Sequence, residues 1–115
     1  MESQLDAFSP RSEFEACLEV QEGRAVLGLA GELDVSALPV LRRMIASALD
    51  GRPAAVVVDM DQVTFVDAAG FGGLVAAAAA SAERGCRLTV RRPQPAPART
   101  LRLLDVDDVL AIERS

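Results

Sequence analysis

Three carboxylates follow one another closely and are the residues best suited to acid–base or metal chemistry. Asp59 ends an apolar run, Asp61 comes two residues later, and Asp67 directly precedes a helical pattern. Carboxylates act as general acids, bases or metal ligands when a second suitable group shares their site. The chain contains no histidine, which removes the commonest general base and zinc ligand. The sequence therefore predicts no metal site, and it favours helix capping as the role of Asp67.

A glycine-rich segment at residues 70–73, GFGG, invites comparison with dinucleotide-binding loops. That fingerprint requires G-x-G-x-x-G or A after a strand, and an acidic residue at the end of the next strand. Counting from the first glycine, the last position of the motif holds Val75, and the next predicted strand ends at Arg91. The sequence therefore predicts no nucleotide cofactor and no enzymatic activity. Gly72 and Gly73 are instead expected to let the helix approach the sheet closely.

The composition indicates one soluble domain. The chain has 115 residues, half of them hydrophobic, and a net charge of −5 without Trp or Tyr. It therefore lacks both the basic patch and the aromatic platform that nucleic-acid binding would use.

Residues 1–12 lack the pattern of a signal peptide and are predicted to form a flexible arm. The most apolar run, residues 74–82, is too short to span a bilayer. We expect a cytoplasmic protein that binds no nucleic acid and does not insert into membranes.

The chain contains two cysteines and two pairs of neighbouring arginines. Cys17 and Cys86 lie far apart in the sequence, in two predicted strands, and are expected to be small buried hydrophobic residues. Free thiols of this kind fit a reducing cytosol. The pairs Arg42–Arg43 and Arg91–Arg92 are expected to be solvated surface.

Hydrophobic periodicity divides the chain into five strands and three helices. Alternation over residues 14–20 predicts the first strand, and Gly23 predicts a tight turn into a second strand at 25–31. Further along are predicted a helix around residues 38–49, a strand at 54–59, a helix at 68–84, a strand at 86–90, a helix starting near Pro97 and a short strand at 109–112. The order ββαβαβαβ predicts an α/β fold with a mixed central sheet and helices packed on it.

Four segments together resemble one known family. They are GELD at residues 31–34, VVVDM at 56–60, VTFVD at 63–67 and the ending at 104–110. On this order of elements they resemble the STAS domain, and in particular the stand-alone anti-sigma factor antagonists of bacteria. The resemblance covers residues 13–113, so it implies a single STAS domain over residues 13–115.

The resemblance implies a function by partner switching. An unphosphorylated antagonist binds an anti-sigma factor that is also an ATP-binding serine kinase, which frees a sigma factor for transcription. The kinase phosphorylates a Ser or Thr just before the glycine of a D-[ST]-[ST]-G motif, and the added charge ejects the antagonist. The matching positions here hold Ala68 and Ala69, and Ala69 matches the phosphoacceptor. The chain is therefore expected to bind its partner without being switchable at that site.

The resemblance also implies where the partner binds, namely the loop after the second strand and the start of the second helix. The residues expected there are Glu32, Asp34, Ser36, Asp67, Ala68, Ala69, Gly70 and Phe71. Ser36 and Thr64 carry hydroxyls that could be substitute phosphosites, although capping explains Ser36 and a strand position explains Thr64. An accessory subunit of a membrane lipid-transport complex is the alternative function, and a weak homodimer is compatible with either. A nucleotide- or metal-dependent enzyme is a third hypothesis, disfavoured by the missing histidine and the broken glycine motif.

Overall fold

A five-stranded sheet, with its strands side by side in sequence order, forms the centre of the protein. The computed structural model describes residues 14–113, so the predicted arm at residues 1–12 lies outside the described part. The elements are β1 (Glu15–Gln21), β2 (Arg24–Leu33), α1 (Leu38–Asp50), β3 (Ala55–Val66), α2 (Ala68–Glu83), β4 (Arg87–Arg91), α3 (Pro95–Leu104) and β5 (Ala111–Ile112). β1 is antiparallel to β2, whereas the other pairs are parallel. The predicted α/β class and mixed sheet are confirmed.

The hairpin between β1 and β2 closes through a two-residue turn. Gln21 pairs with Arg24, and the two residues between them, Glu22 and Gly23, have φ angles of 55° and 79°. Positive φ at both central positions is the conformation that matches the twist of a two-residue hairpin. The turn predicted around Gly23 is confirmed.

One hydrophobic cluster joins the sheet to all three helices. Along each central strand its members are alternate residues, so they share one face of the sheet. The cluster includes Leu27, Leu29, Val56, Val58, Met60, Leu88 and Val90 from the strands, with Leu41, Ile45, Leu49, Leu74, Ala77 and Leu101 from the helices. Burying each large apolar side chain contributes about 1.5–3 kcal/mol. This core holds the three helices against one face of the sheet.

The central strand β3 is longer than predicted. The polar residues after Asp59 were expected to break it, but the strand continues to Val66. Met60, Val63 and Val66 are buried, while the polar residues between them are exposed along the strand. The pairing with β2 shifts register at two places over this stretch, as happens at β-bulges. The predicted break was wrong because these polar residues lie on the exposed side of a strand and not in a turn.

The prediction for one of the two cysteines also needs correction. Cys86 is buried, as expected, but Cys17 is exposed. Cys17 alternates with the half-buried Ala16 and Leu18 along the edge strand β1, so its thiol lies on the side away from the core. Exposure of this thiol contradicts its predicted role as a buried hydrophobic residue.

The last strand is shorter than predicted. β5 contains two residues only, and Val109 lies outside it with 51% of its surface exposed. The Asp105 carboxylate accepts the backbone N–H groups of Val109 and Leu110, at 2.8 and 2.9 Å. These two residues therefore belong to a loop held by Asp105, although the Leu110 side chain is still buried.

Candidate protein-binding site

The ends of β2 and β3 bring the two predicted contact segments together. Glu32 pairs with Phe65, and Leu33 pairs with Val66. One residue further, the N–H of Asp67 donates to the carbonyl of Leu33 at 3.4 Å. Because the two strands are parallel and end together, the loop that follows β2 and the helix that follows β3 begin side by side. Such strand ends are common locations of functional residues in α/β folds.

Two aspartates cap the helical turns at this edge. Asp34 precedes a 3-10 turn, Val35–Ala37, and its Oδ1 accepts from the backbone N–H of Ser36 at 3.0 Å and from its hydroxyl at 2.7 Å. Asp67 precedes α2, and its Oδ1 accepts from the N–H of Gly70 at 2.9 Å. The predicted capping role of Asp67 is confirmed, and such a cap contributes about 1 kcal/mol. Both caps use Oδ1, which leaves the second oxygen of each carboxylate for other contacts.

The first turn of α2 presents small residues at the surface. Ala68 is exposed, Ala69 and Phe71 are half-buried, and Gly70 is buried. A Cβ atom added to Gly70 would collide with the carbonyl oxygen of Leu33 and lie 2.8 Å from its carbonyl carbon. Gly70 therefore allows close approach of α2 to β2, whereas Ala68, Ala69 and Phe71 supply the accessible part of the predicted contact segment.

Neither Gly72 nor Gly73 faces the sheet, although both were predicted to do so. A Cβ atom at Gly73 would lie 2.5 Å from the Leu38 side chain and 3.2 Å from that of Leu41, both in α1. A Cβ atom at Gly72 would meet nothing within 4 Å. Gly73 thus admits the neighbouring helix, and the sheet is approached at Gly70 instead.

Two apolar residues beside the predicted site were missed by the sequence analysis. Phe65 is 46% exposed and Val35 is 67% exposed, although both are large hydrophobic residues. Phe65 is the strand partner of Glu32, and Val35 follows Asp34 directly. The sequence carried no signal for this exposure: Phe65 is left outside the core because Val63 and Val66, three residues apart, are both buried, and Val35 is exposed in the turn that follows β2.

Asp59 does not join the other aspartates in an acidic cluster. Its carboxylate accepts from Arg91 at 3.1 Å, from Arg92 at 2.7 Å and from the N–H of Asp61 at 3.1 Å. Burial works to raise the pKa of Asp59, but the hydrogen bonds from Arg92, the Asp61 backbone and Arg91 outweigh it and hold that pKa below its ordinary value. The expectation that Arg91 and Arg92 are simply solvated was therefore wrong.

Within the described part of the chain, neither a membrane-spanning helix nor a metal site is found. Within residues 14–113, no helix is long and apolar enough to cross a bilayer. The same residues contain no group of three or more His, Cys, Asp or Glu side chains that could hold a metal ion. The surface that stands out is thus the edge formed by the capped turns and the exposed apolar residues.

Comparison with known proteins decides the family. The family model described as "Mlab, STAS domain" matches residues 17–112 of the chain. The chain belongs to the STAS domain family. The match spans every strand and helix of this STAS domain except the first two residues of β1. A search of curated proteins found no match to the chain.

Solved structures share the fold of this STAS domain. An anti-sigma factor antagonist from Mycobacterium paratuberculosis is 25% identical, over 90% of this chain and 87% of that chain, with a TM-score of 0.74. The anti-sigma factor antagonist SpoIIAA of Bacillus, in its unphosphorylated form, is 20% identical over 88% and 89% of the two chains, with a TM-score of 0.66. A murine anion transporter of solute carrier family 26 is 13% identical over 92% of this chain and 21% of that chain, with a TM-score of 0.71.

Proposed function

We propose that this STAS domain is an anti-sigma factor antagonist. It binds an anti-sigma factor that has an ATP-binding serine kinase domain, and so frees a sigma factor for transcription. The observation that carries the proposal is the single surface formed where β2 and β3 end, with the turn Val35–Ala37 beside the first turn of α2. The similarity to a mycobacterial anti-sigma factor antagonist, over nine-tenths of the chain, supports the same role.

The chemistry of this surface fits a protein partner. Phe65 and Val35 offer apolar side chains. Glu32 is the strand partner of Phe65, and Asp67 follows Phe65 by two residues. Asp34 directly precedes Val35. Buried apolar anchors surrounded by charged groups are the usual anatomy of protein interfaces. A partner with an apolar pocket and a basic rim would complement both parts of this surface. An interface of standard size, about 800 Å² on each partner, would cover it.

Ala69 determines how this antagonist is regulated. It is half-buried in the first turn of α2, and its methyl group has no oxygen that could carry a phosphate. On a serine at this position, a phosphate would add a charge of about −1.5 to −2 beside the Asp67 carboxylate, in the middle of the contact surface. Because that switch is absent, the protein binds its partner constitutively and is controlled by its abundance or by another signal.

A binding and phosphorylation experiment tests the proposal directly. The wild type and the Ala69→Ser variant are titrated with each ATP-binding anti-sigma kinase of the same genome, with ATP and magnesium present. Calorimetry reports the complex, and mass spectrometry reports phosphate. We expect tight binding without phosphate for the wild type, and phosphorylation followed by release for Ala69→Ser. Ala79→Ser is the matched control, since Ala79 is exposed on the same helix about 15 Å further along. It should bind and stay unmodified.

Two other results would change the proposal in different ways. Phosphate on the wild type would move the switch to another hydroxyl, with the exposed Ser36 and Thr64 as the first residues to replace. Absence of binding to any kinase, by either protein, would overturn the antagonist role.

The second candidate is an accessory subunit of a membrane lipid-transport complex. It is favoured by the presence of the same fold within a membrane transporter, where it accounts for about a fifth of that chain. The test is co-expression with the transport ATPases and permeases of the same genome, followed by purification through a tag on the permease. Stoichiometric co-purification, together with no kinase binding, would replace the first proposal by the second.

A further inference from the structure

The edge strand β1 points the backbone groups of three residues away from the sheet. β1 forms one edge of the sheet described for residues 14–113, and all its residues are exposed or half-buried. In a two-residue turn the carbonyl before the turn accepts from the N–H after it, so the backbone groups of Gln21 point towards β2. Because alternate residues point these groups to opposite sides, the outward groups belong to Ala16, Leu18 and Val20. An additional strand would pair with these three residues.

The side chains of β1 divide into an apolar and a polar set. Ala16, Leu18 and Val20 alternate on the helix-facing side of the sheet, and Val20 is 75% exposed although it is a large hydrophobic residue. The polar set lies on the opposite side and consists of Glu15, Cys17, Glu19 and Gln21. An edge strand with outward backbone groups and an exposed valine is a template on which another strand can add.

A second copy of β1 complements this edge in one antiparallel register. If Leu18 pairs with Leu18 of the second copy, Glu15 lies opposite Gln21 and Glu19 lies opposite Cys17, so each glutamate meets a neutral side chain. The Gln21 amide can then donate to the Glu15 carboxylate of the other copy. Moving the centre of the pairing to Cys17 places Glu15 opposite Glu19, and moving it to Glu19 places that glutamate opposite itself. Like charges directly opposite each other destabilise a strand pair, and larger shifts pair at most three of the seven residues.

The helices leave room for this pairing. α1 packs against β1 and β2 on one side of the sheet. Because neighbouring strands are about 4.8 Å apart, a two-fold axis between the two β1 strands places the two α1 helices about 10 Å apart. That separation is the upper end of the normal distance between packed helices. The two sheets can therefore join into one continuous sheet of ten strands without displacing a helix.

We propose that two copies of this chain pair through β1, with the two-fold axis at Leu18. The interface is isologous, as in most homodimers. It consists mainly of one strand from each copy, so it is smaller than a standard interface, and the dimer is weak and reversible. β2 runs in opposite directions in the two copies, so the two proposed protein-binding surfaces lie at opposite ends of the dimer and stay open. Binding of two partners by one dimer rests on the proposed function, whereas the dimer itself does not.

Sedimentation velocity of the purified full chain, under reducing conditions and over a wide range of concentrations, measures the dimer. We expect a reversible monomer–dimer equilibrium that tightens as salt is added, because each copy carries a net charge of −5 and salt screens the repulsion. Gln21→Lys places an ammonium opposite Glu15 and should lower the Kd about fivefold, whereas Gln21→Glu should raise it about fivefold. Ala79→Lys and Ala79→Glu, at an exposed residue of α2, change the net charge equally and should shift the Kd by less than about twofold.

Disulfide cross-linking identifies the register, since Cys17 is exposed and Cys86 is buried. With the axis at Leu18, position 17 of one copy and position 19 of the other form a non-hydrogen-bonded pair. Their Cα atoms lie about 4.5 Å apart, within the range that a disulfide spans. Under mild oxidation, Glu19→Cys should form a covalent dimer about tenfold faster than the wild type or Gln21→Cys, and adding Cys17→Ser should abolish the link. The wild type would link if the axis lay at Cys17, and Gln21→Cys would link if it lay at Glu19.

Three results, obtained with variants shown to be folded by circular dichroism, would overturn the inference. A chain that stays monomeric at the highest concentration would leave the edge of β1 to a strand of a different protein. Cross-linking of the wild type or of Gln21→Cys as fast as that of Glu19→Cys would place the axis at another residue. A dimer that no cysteine variant links, with equal Kd values for the Gln21 and Ala79 variants, would be joined through another surface. Because these assays contain no kinase, failure of the proposed function would leave their results intact.

Discussion

Two aspartates associated with the same strand, β3, have opposite surroundings. Asp59 lies within the strand, and its carboxylate is occupied by Arg91, Arg92 and the N–H of Asp61. Asp67 follows the strand, caps α2 through one oxygen and lies two residues from the exposed Phe65. The two arginines neutralise the charge of Asp59 within the chain, so this carboxylate stabilises the fold. Around the second aspartate, the capping carboxylates of Asp34 and Asp67 use one oxygen each in the hydrogen bonds described for residues 14–113, and Phe65 and Val35 are exposed, so this surface is the one suited to another molecule.

The largest effect is expected where α2 touches β2 beneath the proposed binding surface. Gly70→Ala places a methyl group against the backbone carbonyl of Leu33, which cannot move without disturbing the sheet. We expect the free energy of unfolding to fall by about 3 kcal/mol, as in other overpacked sites. Urea denaturation measures it. The control is Gly72→Ala, where a methyl group meets nothing within 4 Å and a helical alanine should stabilise by up to about 1 kcal/mol. Similar effects at both positions would show that α2 can shift freely.

The exposed apolar residues give the next largest effect, on binding and not on stability. Phe65→Ala removes an apolar anchor at the proposed interface, and the affinity for the anti-sigma partner should fall by about 2 kcal/mol. Because Phe65 is half exposed, the free energy of unfolding should change by under about 1 kcal/mol. Calorimetric titration and thermal melts separate the two quantities. Val109→Ala, at an exposed apolar residue in the loop before β5, should leave affinity unchanged. Equal losses of affinity would mean that the interface lies elsewhere.

The two functions of Asp67 can be separated by substitution. Asp67→Ala removes the cap from α2 and should lower the free energy of unfolding by about 1 kcal/mol. Asp67→Asn keeps an oxygen that can accept the N–H of Gly70, so its stability should stay close to that of the wild type. If the carboxylate also faces a basic partner, Asp67→Asn should still weaken the complex, and the affinity should depend less on salt. Stability lost equally in both variants would contradict the capping role.

The smallest effect is expected at Asp59 and depends on pH. Its pKa in the folded protein lies below the ordinary value of 3.8, so the carboxylate contributes stability above the pKa of the unfolded chain. That contribution is lost as the pH falls through the lower, folded pKa. Asp59→Asn should therefore flatten the decline of stability below about pH 4, and should cost no more than about 1 kcal/mol at pH 7. Asp107→Asn, at an exposed residue, should follow the wild-type curve; a flattened curve there would refute the assignment to Asp59.

Most of the fold could be predicted because local patterns and tertiary packing agree. The spacing of Leu41, Ile45 and Leu49 predicts the buried side of α1, and the apolar run before Asp59 predicts a central strand. What sequence could not show is the second half of β3. Its register depends on two irregularities in the pairing with β2, and these arise only when the strands meet.

The candidate site could likewise be predicted only in part. The cap of α2 was predictable, since an aspartate directly before a helical pattern is a capping signal. The close contact with β2 was not, because it was expected at Gly72 and Gly73 and lies at Gly70. The exposure of Phe65 and Val35 was not, because it follows from the altered register and from the turn after β2. Cys17 was misjudged for a related reason: alternation shows that a strand has two faces, but not which face of an edge strand is covered.

The left-handed turn at Glu22 and Gly23 has a consequence for the order in which the molecule forms. The hairpin that it closes requires only local contacts, and hairpins form in about 1–10 μs. Pairing of β2 with β3 must instead bring Ala25 to Val56 across a whole helical crossover, which is slower because the chain loses more entropy in closing the loop. We expect the hairpin to act as a kinetic template on which the parallel strands are added one after another. The proposed protein-binding surface lies at the far end of β2 and β3, so a nascent or partly folded chain would not bind the proposed partner.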